Sequence, residues 1–138
     1  MGYEVETVSI DGGPAALGSG GPFTLVVDRP GGHGGRGLGF NGGQLLNLAV
    51  AACVSNDLFR EADRRGLALR RVRVSVTSEY VGSPAVSTPI EFDVELDGDA
   101  AQADLDALLD HVDAIAEIPN SIRNGTPVRL GERRVTGR

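Results

Sequence analysis

The sequence has a single cysteine, Cys53, and it has no tryptophan and no lysine. One thiol cannot form a disulfide within the chain, and it excludes a zinc site built from several cysteines. Two tyrosines and four phenylalanines are the only aromatic residues. So few aromatic rings argue against a base-stacking surface or an aromatic platform for sugars. We predict no metal and no cofactor.

Positive charge and long apolar runs are also scarce. The 13 basic residues are outnumbered by 19 acidic ones, which gives a formal net charge of −6 and argues against a nucleic-acid partner. No apolar run approaches the roughly 20 residues that span a bilayer, and the N-terminus lacks a targeting pattern. We therefore predict a soluble cytoplasmic protein that forms one domain over residues 1–138.

Strands are indicated by apolar residues that alternate with polar ones, most clearly over 71–81 and 90–97. Glycine and proline fill the segment 11–21, which we interpret as a turn, and glycine dominates a flexible loop over 30–43. The remaining predicted strands cover residues 3–10, 22–29 and 127–135.

A long first helix is predicted from Gly43 to Arg65, ending at the glycine cap Gly66. Its first half is apolar on nearly all sides, which predicts full burial, whereas its second half is amphipathic, with Glu61 among the residues expected to face water. The sequence therefore indicates an α+β fold with largely antiparallel strands around one long helix.

A second helix is predicted to begin after Asp99, with Gln102 completing a capping box, and to end at Pro119. Its apolar residues form one stripe, and its aspartates form a solvated face. The stripe comprises Leu105, Leu108, Leu109, Val112 and Ala116.

Cys53 lies within the apolar run LLNLAVAACV, residues 45–54. A thiol reacts as thiolate, which apolar surroundings disfavour unless a cation is near. None of its helical neighbours is basic, and Asp57, four residues on, opposes thiolate formation. Cys53 is therefore either an inert core residue or a nucleophile whose activating cation comes from elsewhere in the fold or from a second subunit.

Other motifs give weaker signals. Gly32, Gly34 and Gly37 fit the pattern G-x-G-x-x-G, which leaves a nucleotide-binding loop as a third hypothesis. His33 in that loop and His111 on the second helix have no clustered partners, so we interpret both as surface residues. No G-x-S-x-G nucleophile motif is present.

The segment GGRGLGFNGGQLLNLAVAAC, residues 34–53, resembles the OsmC/Ohr family of small thiol-dependent peroxidases. That family typically has a glycine-rich loop, a helix start of the type G-x-N-P-E-E/Q-L, and an apolar helix that ends in A-A-C. The similarity extends to VVDRP before the loop, to DLFREADRRGLALRRVRVSV after it, and to IEFDVELDGD. The resemblance thus covers most of the chain.

The resemblance implies an OsmC-like fold in an intertwined homodimer, with active sites at the subunit interface. Cys53 aligns with the family's peroxidatic cysteine, which attacks an organic hydroperoxide and becomes a sulfenic acid. In the family an arginine activates this thiol; Arg29 and Arg36 are the candidates here. Gln44, at the helix start, is the candidate for contact with that arginine and with substrate.

Two features of the family are missing. Its resolving cysteine lies in a C-P motif that reads Ile118-Pro119 here, and its helix-start glutamate is replaced by Gly43. Two functions therefore remain open. One is a one-cysteine peroxidase that depends on an external thiol reductant, and the other is a non-catalytic homologue that binds a small hydrophobic ligand or a partner.

Overall fold

The computed structural model describes residues 1–138 as seven strands and three helices, and it confirms the predicted α+β class. In chain order the elements are β1 (Glu6–Ser9), β2 (Ala16–Gly20), β3 (Phe23–Val27), α1 (Gly42–Arg64), β4 (Ala68–Thr77), β5 (Tyr80–Val81), β6 (Val86–Ser87), β7 (Glu91–Asp99), α2 (Gln102–Ile115) and α3 (Glu117–Arg123).

The chain forms two compact units. The first unit comprises Met1–Ala49 and Val76–Glu91, and the second comprises Val50–Ser75 and Phe92–Arg138. Helix α1 begins in the first unit and ends in the second. The single domain over residues 1–138 stays a prediction.

The first unit contains a three-stranded antiparallel sheet in the order β1-β2-β3. Its central strand, β2, lies within the segment 11–21, so the prediction of a simple turn there is wrong. Leu17 pairs with Val8 on one side and with Val26 on the other. Backbone pairing on both edges overrides the weak strand propensity of the glycines Gly18 and Gly20.

The second unit contains the hydrophobic core. Buried side chains of α1 pack against those of α2 and the residue that follows it, and half-buried side chains of β4 and β7 pack on this cluster. The buried members are Val54, Leu58, Ala62, Leu108, Val112 and Ala116. The alternating patterns within β4 and β7 and the apolar stripe of α2 are therefore confirmed. The predicted strand over 71–81 is too long: β4 ends at Thr77, and residues 80–81 form β5, which pairs with β6.

Both ends of α1 lie within one residue of the prediction. At its C-terminus Gly66 has a positive φ of 67°, which favours glycine. The N–H of Leu67 donates to the carbonyl of Ala62, and the N–H of Gly66 donates to the carbonyl of Asp63. This Schellman motif satisfies carbonyls that the end of the helix would otherwise leave free.

The predicted burial along α1 is wrong in both halves of the helix. Leu48, in the apolar first half, is 47% exposed, because one chain covers only part of the helix surface there. Glu61, expected to face water, is buried with 5% exposure. Arginines on α1 pair with its carboxylate, which makes that burial tolerable.

The start and end of α2 also differ from the prediction. Its N-cap is Ala101, with no side-chain capping bond, and Gln102 instead donates to Asp106. The helix ends at Ile115, before an extended Ala116. Pro119 is the third residue of α3, where a missing N–H costs little because the first turn lacks intrahelical acceptors.

No strand forms over 127–135, contrary to the prediction. Val128 is 97% exposed, and no strand of this chain pairs with the segment. A period of two in the sequence produces a strand only where a neighbouring edge accepts the backbone. None of the three helices combines the length and the apolarity that crossing a membrane requires.

Candidate functional site

Cys53 lies on α1 in the second unit, partly exposed, and packs against the hydrophobic core. Its Sγ lies 3.9 Å from Oδ2 of Asp57, one helical turn further on. This is a weak contact in which the thiol donates and the carboxylate accepts. The sequence placed both residues on one helix face, and the structure confirms that placement.

Two buried carboxylates follow Cys53 along the same face of α1. Asp57 is 6% exposed, and its Oδ1 lies 3.0 Å from Nη1 of Arg60. Glu61 accepts from Nε of Arg60 at 3.0 Å and from Nη1 of Arg64 at 2.7 Å. The hydrogen bond from Arg60, chiefly, holds the pKa of Glu61 below its ordinary value, although desolvation opposes this.

His111 of α2 also contacts this group, with Nε2 3.4 Å from Oε2 of Glu61. The sequence interpretation of His111 as an isolated surface residue therefore missed a partner. A signal was available: Cys53, Asp57 and Glu61 are spaced four residues apart, which places all three on one face of a helix. The burial of that face was not evident from residue type, because charged residues suggest solvent.

Both candidate arginines lie in the first unit, on the loop between β3 and α1. Nε of Arg29 donates to the carbonyl of His33 at 2.7 Å. Nη2 of Arg36 forms an exposed ion pair with Asp11 at 2.9 Å. Such exposed pairs are worth about 0–1 kcal/mol, so Arg36 can change partners at little cost.

Asp28 organises this loop. Its buried carboxylate accepts the backbone N–H groups of Leu38, Arg36 and Arg29 at 3.1, 3.1 and 2.7 Å. These bonds, the one from Leu38 first, lower the pKa of Asp28, with desolvation acting in the opposite direction. The predicted flexible loop is therefore tied at its base.

Because α1 begins at Gly42, five residues after Gly37, the glycine motif does not open the helix as a dinucleotide site requires.

Gln44 forms a capping box at the start of α1. Its Oε1 accepts the N–H of Asn41 at 3.0 Å, and its own N–H donates to Oδ1 of Asn41 at 2.9 Å. The carboxamide oxygen of this candidate substrate-binding residue is thus engaged in capping. The sequence pattern predicted this motif at the second helix, although N-x-x-Q was present here.

The position of the missing glutamate is closed by an aromatic ring. A Cβ added at Gly43 would lie 2.9 Å from Cε2 of Tyr80, so a larger side chain requires that ring to move. Tyr80, Phe40 and Arg29 line an open cleft of about 540 Å³ in the first unit. No group of three or more histidine, cysteine or acidic side chains is arranged to hold a metal ion.

The structure is therefore that of a small α+β protein with one partly exposed thiol on its longest helix. The chain belongs to the OsmC-like family: the family model described as OsmC-like protein matches residues 32–131. No curated protein matches the sequence.

Solved structures share the fold. An OsmC-like protein from Mycoplasma pneumoniae is 16% identical with a TM-score of 0.78, covering 89% of this chain and 88% of that one. An organic hydroperoxide resistance protein OsmC from Legionella pneumophila is 21% identical with a TM-score of 0.62, covering 89% and 90%. The organic hydroperoxide resistance protein OhrB of Bacillus subtilis is 17% identical with a TM-score of 0.62, covering 89% and 91%. The predicted OsmC-like fold is confirmed.

Proposed function

We propose that this protein reduces organic hydroperoxides through Cys53, with an external thiol as electron donor. The observation that carries the proposal is the position of Cys53: the only thiol of an OsmC-like chain lies partly exposed on α1. Structural neighbours described as organic hydroperoxide resistance proteins support the substrate class. A hydroperoxide needs access to sulfur, and partial exposure provides it.

The chemistry takes place in two stages. In the first, Sγ of Cys53 attacks the outer oxygen of ROOH, the O–O bond breaks, and the products are a sulfenic acid and ROH. With no second cysteine in the chain, one molecule of an external thiol then forms a mixed disulfide with release of water. A second molecule of that thiol regenerates Cys53 and leaves as the disulfide, so each ROOH consumes two thiols.

Arg29 and Arg36 remain the proposed source of the activating cation. For either to act, its guanidinium must give up its present partner, the carbonyl of His33 for Arg29 or the carboxylate of Asp11 for Arg36. For Arg36 this exchange costs little free energy, because its ion pair is exposed and open to water. For Gln44 we propose contact with substrate through its Nε2 donors, since Oε1 is held in the capping box.

We propose a homodimer as the working form. In the first unit the only buried residues with side chains are Ala15, Ala16 and Asp28, so no large apolar side chain is buried there. A sheet with so little cover is stabilised when a second copy packs on it.

The experiment that tests the function is trapping of the sulfenic acid. Purified protein is treated with one equivalent of cumene hydroperoxide in the presence of dimedone, and the adduct is located by mass spectrometry. We expect one adduct at Cys53 in the wild type and none in Cys53→Ser. Absence of an adduct in the wild type at stoichiometric peroxide contradicts the proposal.

A second candidate function, binding of a small hydrophobic ligand without catalysis, is favoured by a groove on the sheet of the first unit. Val5, Phe23 and Leu25 line a groove of about 520 Å³, and Gly18 and Gly20 leave it open. This function predicts that a medium-chain fatty acid raises the melting temperature while peroxide leaves Cys53 unmodified. Sulfenic acid formation without any thermal shift excludes it.

A further inference from the structure

The structure contains one buried carboxylate that touches the proposed nucleophile. Asp57 is 6% exposed, and its two oxygens face different groups: Oδ1 faces Nη1 of Arg60 at 3.0 Å, and Oδ2 faces Sγ of Cys53 at 3.9 Å. A buried carboxylate is costly unless it is paired. Arg60 supplies that pairing at Oδ1, which leaves Oδ2 to face the thiol.

Resting on the proposed function, we propose that Asp57 is the acid–base residue of the peroxide reaction. The thiol proton of Cys53 passes to Oδ2 of Asp57 as Sγ bonds to the outer oxygen of ROOH and the O–O bond breaks. The leaving alkoxide takes that proton from Asp57 and departs as ROH. Cys53 is oxidised to a sulfenic acid, the peroxide is reduced to an alcohol, and Asp57 ends ionised.

This role suits what the chain lacks. With glycine at position 43, the chain has no carboxylate at the family's helix-start position. Proton transfer during attack removes the need to store a free thiolate, and it also provides the leaving alkoxide with a proton. The 3.9 Å contact is long for proton transfer, but such contacts commonly shorten when substrate binds.

The charged groups around Asp57 come from three elements. Arg60 and Glu61 lie on α1, and His111 of α2 contacts Glu61. The hydrogen bond to Glu61, chiefly, raises the pKa of Arg60, and Glu117 of α3 contributes to raising it. Among these groups, Asp57 provides the hydrogen-bond acceptor for Sγ. The arrangement therefore assigns the proton to Asp57, with Arg60 holding its carboxylate.

The test compares Asp57→Asn with Asp63→Asn, a matched charge change at an exposed acid of the same helix. Sulfenic acid formation with cumene hydroperoxide is timed by stopped flow between pH 6 and 8. Acid–base catalysis contributes at least about 100-fold, so we expect Asp57→Asn to be about 100-fold slower at pH 7 and Asp63→Asn to match the wild type. Asp57→Glu is expected to recover part of the rate, because it restores a carboxylate.

The pH profile separates this role from a structural one. Without an internal base, the rate follows the thiolate fraction, which rises about tenfold per pH unit while the neutral thiol predominates. We expect that slope for Asp57→Asn and a shallower one for the wild type. A wild-type slope of tenfold per unit overturns the role of Asp57 and needs no variant to fold.

The remaining outcomes are also decisive. An Asp57→Asn protein that reacts as fast as the wild type, or faster, overturns the role of Asp57 and leaves the proposed function standing. A wild-type protein that forms no sulfenic acid contradicts the proposed function itself. The two failures are therefore distinguishable in the same set of measurements.

Discussion

At the residue scale, the buried carboxylate of Asp28 ties together the loop between β3 and α1. It accepts three backbone N–H groups from a loop in which glycine is frequent. Glycine makes such a loop entropically expensive to order, and charge-assisted bonds to one carboxylate offset part of that cost. Asp28 also fixes the base of the loop that carries Arg29 and Arg36.

The pKa of Asp28 predicts how its contribution varies with pH. Because the native pKa is lowered, Asp28 stabilises the fold above the unfolded value of about 3.9, and this stabilisation is lost as the pH falls through the lower native pKa. We expect Asp28→Asn to lower the urea midpoint at pH 7, and the difference from the wild type to shrink below about pH 4.

The control for this measurement is Asp63→Asn, which removes the same charge from an exposed position. Its urea midpoint is expected to stay close to that of the wild type at both pH values, since exposed substitutions usually change stability by no more than about 0.5 kcal/mol. A difference between wild type and Asp28→Asn that grows with acidification contradicts a lowered pKa for Asp28 in the folded protein.

Single residues also show which features of the candidate site could be predicted from the sequence. Cys53 was found because a lone cysteine in an apolar helix is conspicuous and matches a family pattern. Glu61 was predicted to face water, because its burial depends on Arg60, Arg64 and α2, whose packing a one-dimensional pattern does not contain. The placement of charged groups is thus what sequence reasoning missed at this site.

At the element scale, α1 was predicted almost residue for residue. Its end is specified by Gly66, and its start by the Asn41–Gln44 pair, so local chemistry encodes both boundaries. By contrast, β2 and the segment 127–135 were mispredicted in opposite directions. Strand formation there depends on which edge is available for pairing, and that is set by the rest of the fold.

The capping box gives a prediction for α1. Asn41→Ala removes the oxygen that accepts the N–H of Gln44, and we expect it to lower the free energy of unfolding by about 0.5–2 kcal/mol. The matched control is Gln102→Ala at α2, where no side-chain cap forms. Its expected effect is within about 0.5 kcal/mol.

Urea unfolding followed by circular dichroism at 222 nm measures both variants. Equal losses for Asn41→Ala and Gln102→Ala show that the box at α1 adds nothing beyond an ordinary surface contact. A larger loss for Gln102→Ala assigns the functional cap to α2, as the sequence pattern alone suggested.

At the scale of the whole molecule, burial is distributed unevenly between the two units. Every large side chain that is fully buried belongs to the second unit: Leu58, Leu108, Val54 and Val112. In the first unit Phe23 is 76% exposed, and Val5 and Val8 are also exposed. Apolar surface of this extent on a three-stranded sheet favours association, because each Å² removed from water contributes about 25 cal/mol.

We therefore expect the protein to sediment at micromolar concentration as a species of twice the 14.4 kDa chain mass. Leu25→Glu places a charge in the groove on the sheet of the first unit that Val5, Phe23 and Leu25 line. It is expected to shift the equilibrium towards monomer, since burial of an unpaired charge is unfavourable. Val135→Glu, a matched change at an exposed position outside the sheet, is expected to leave the dimer intact. A monomeric wild type contradicts the dimer, and a Leu25→Glu dimer as tight as the wild type places the interface away from this groove.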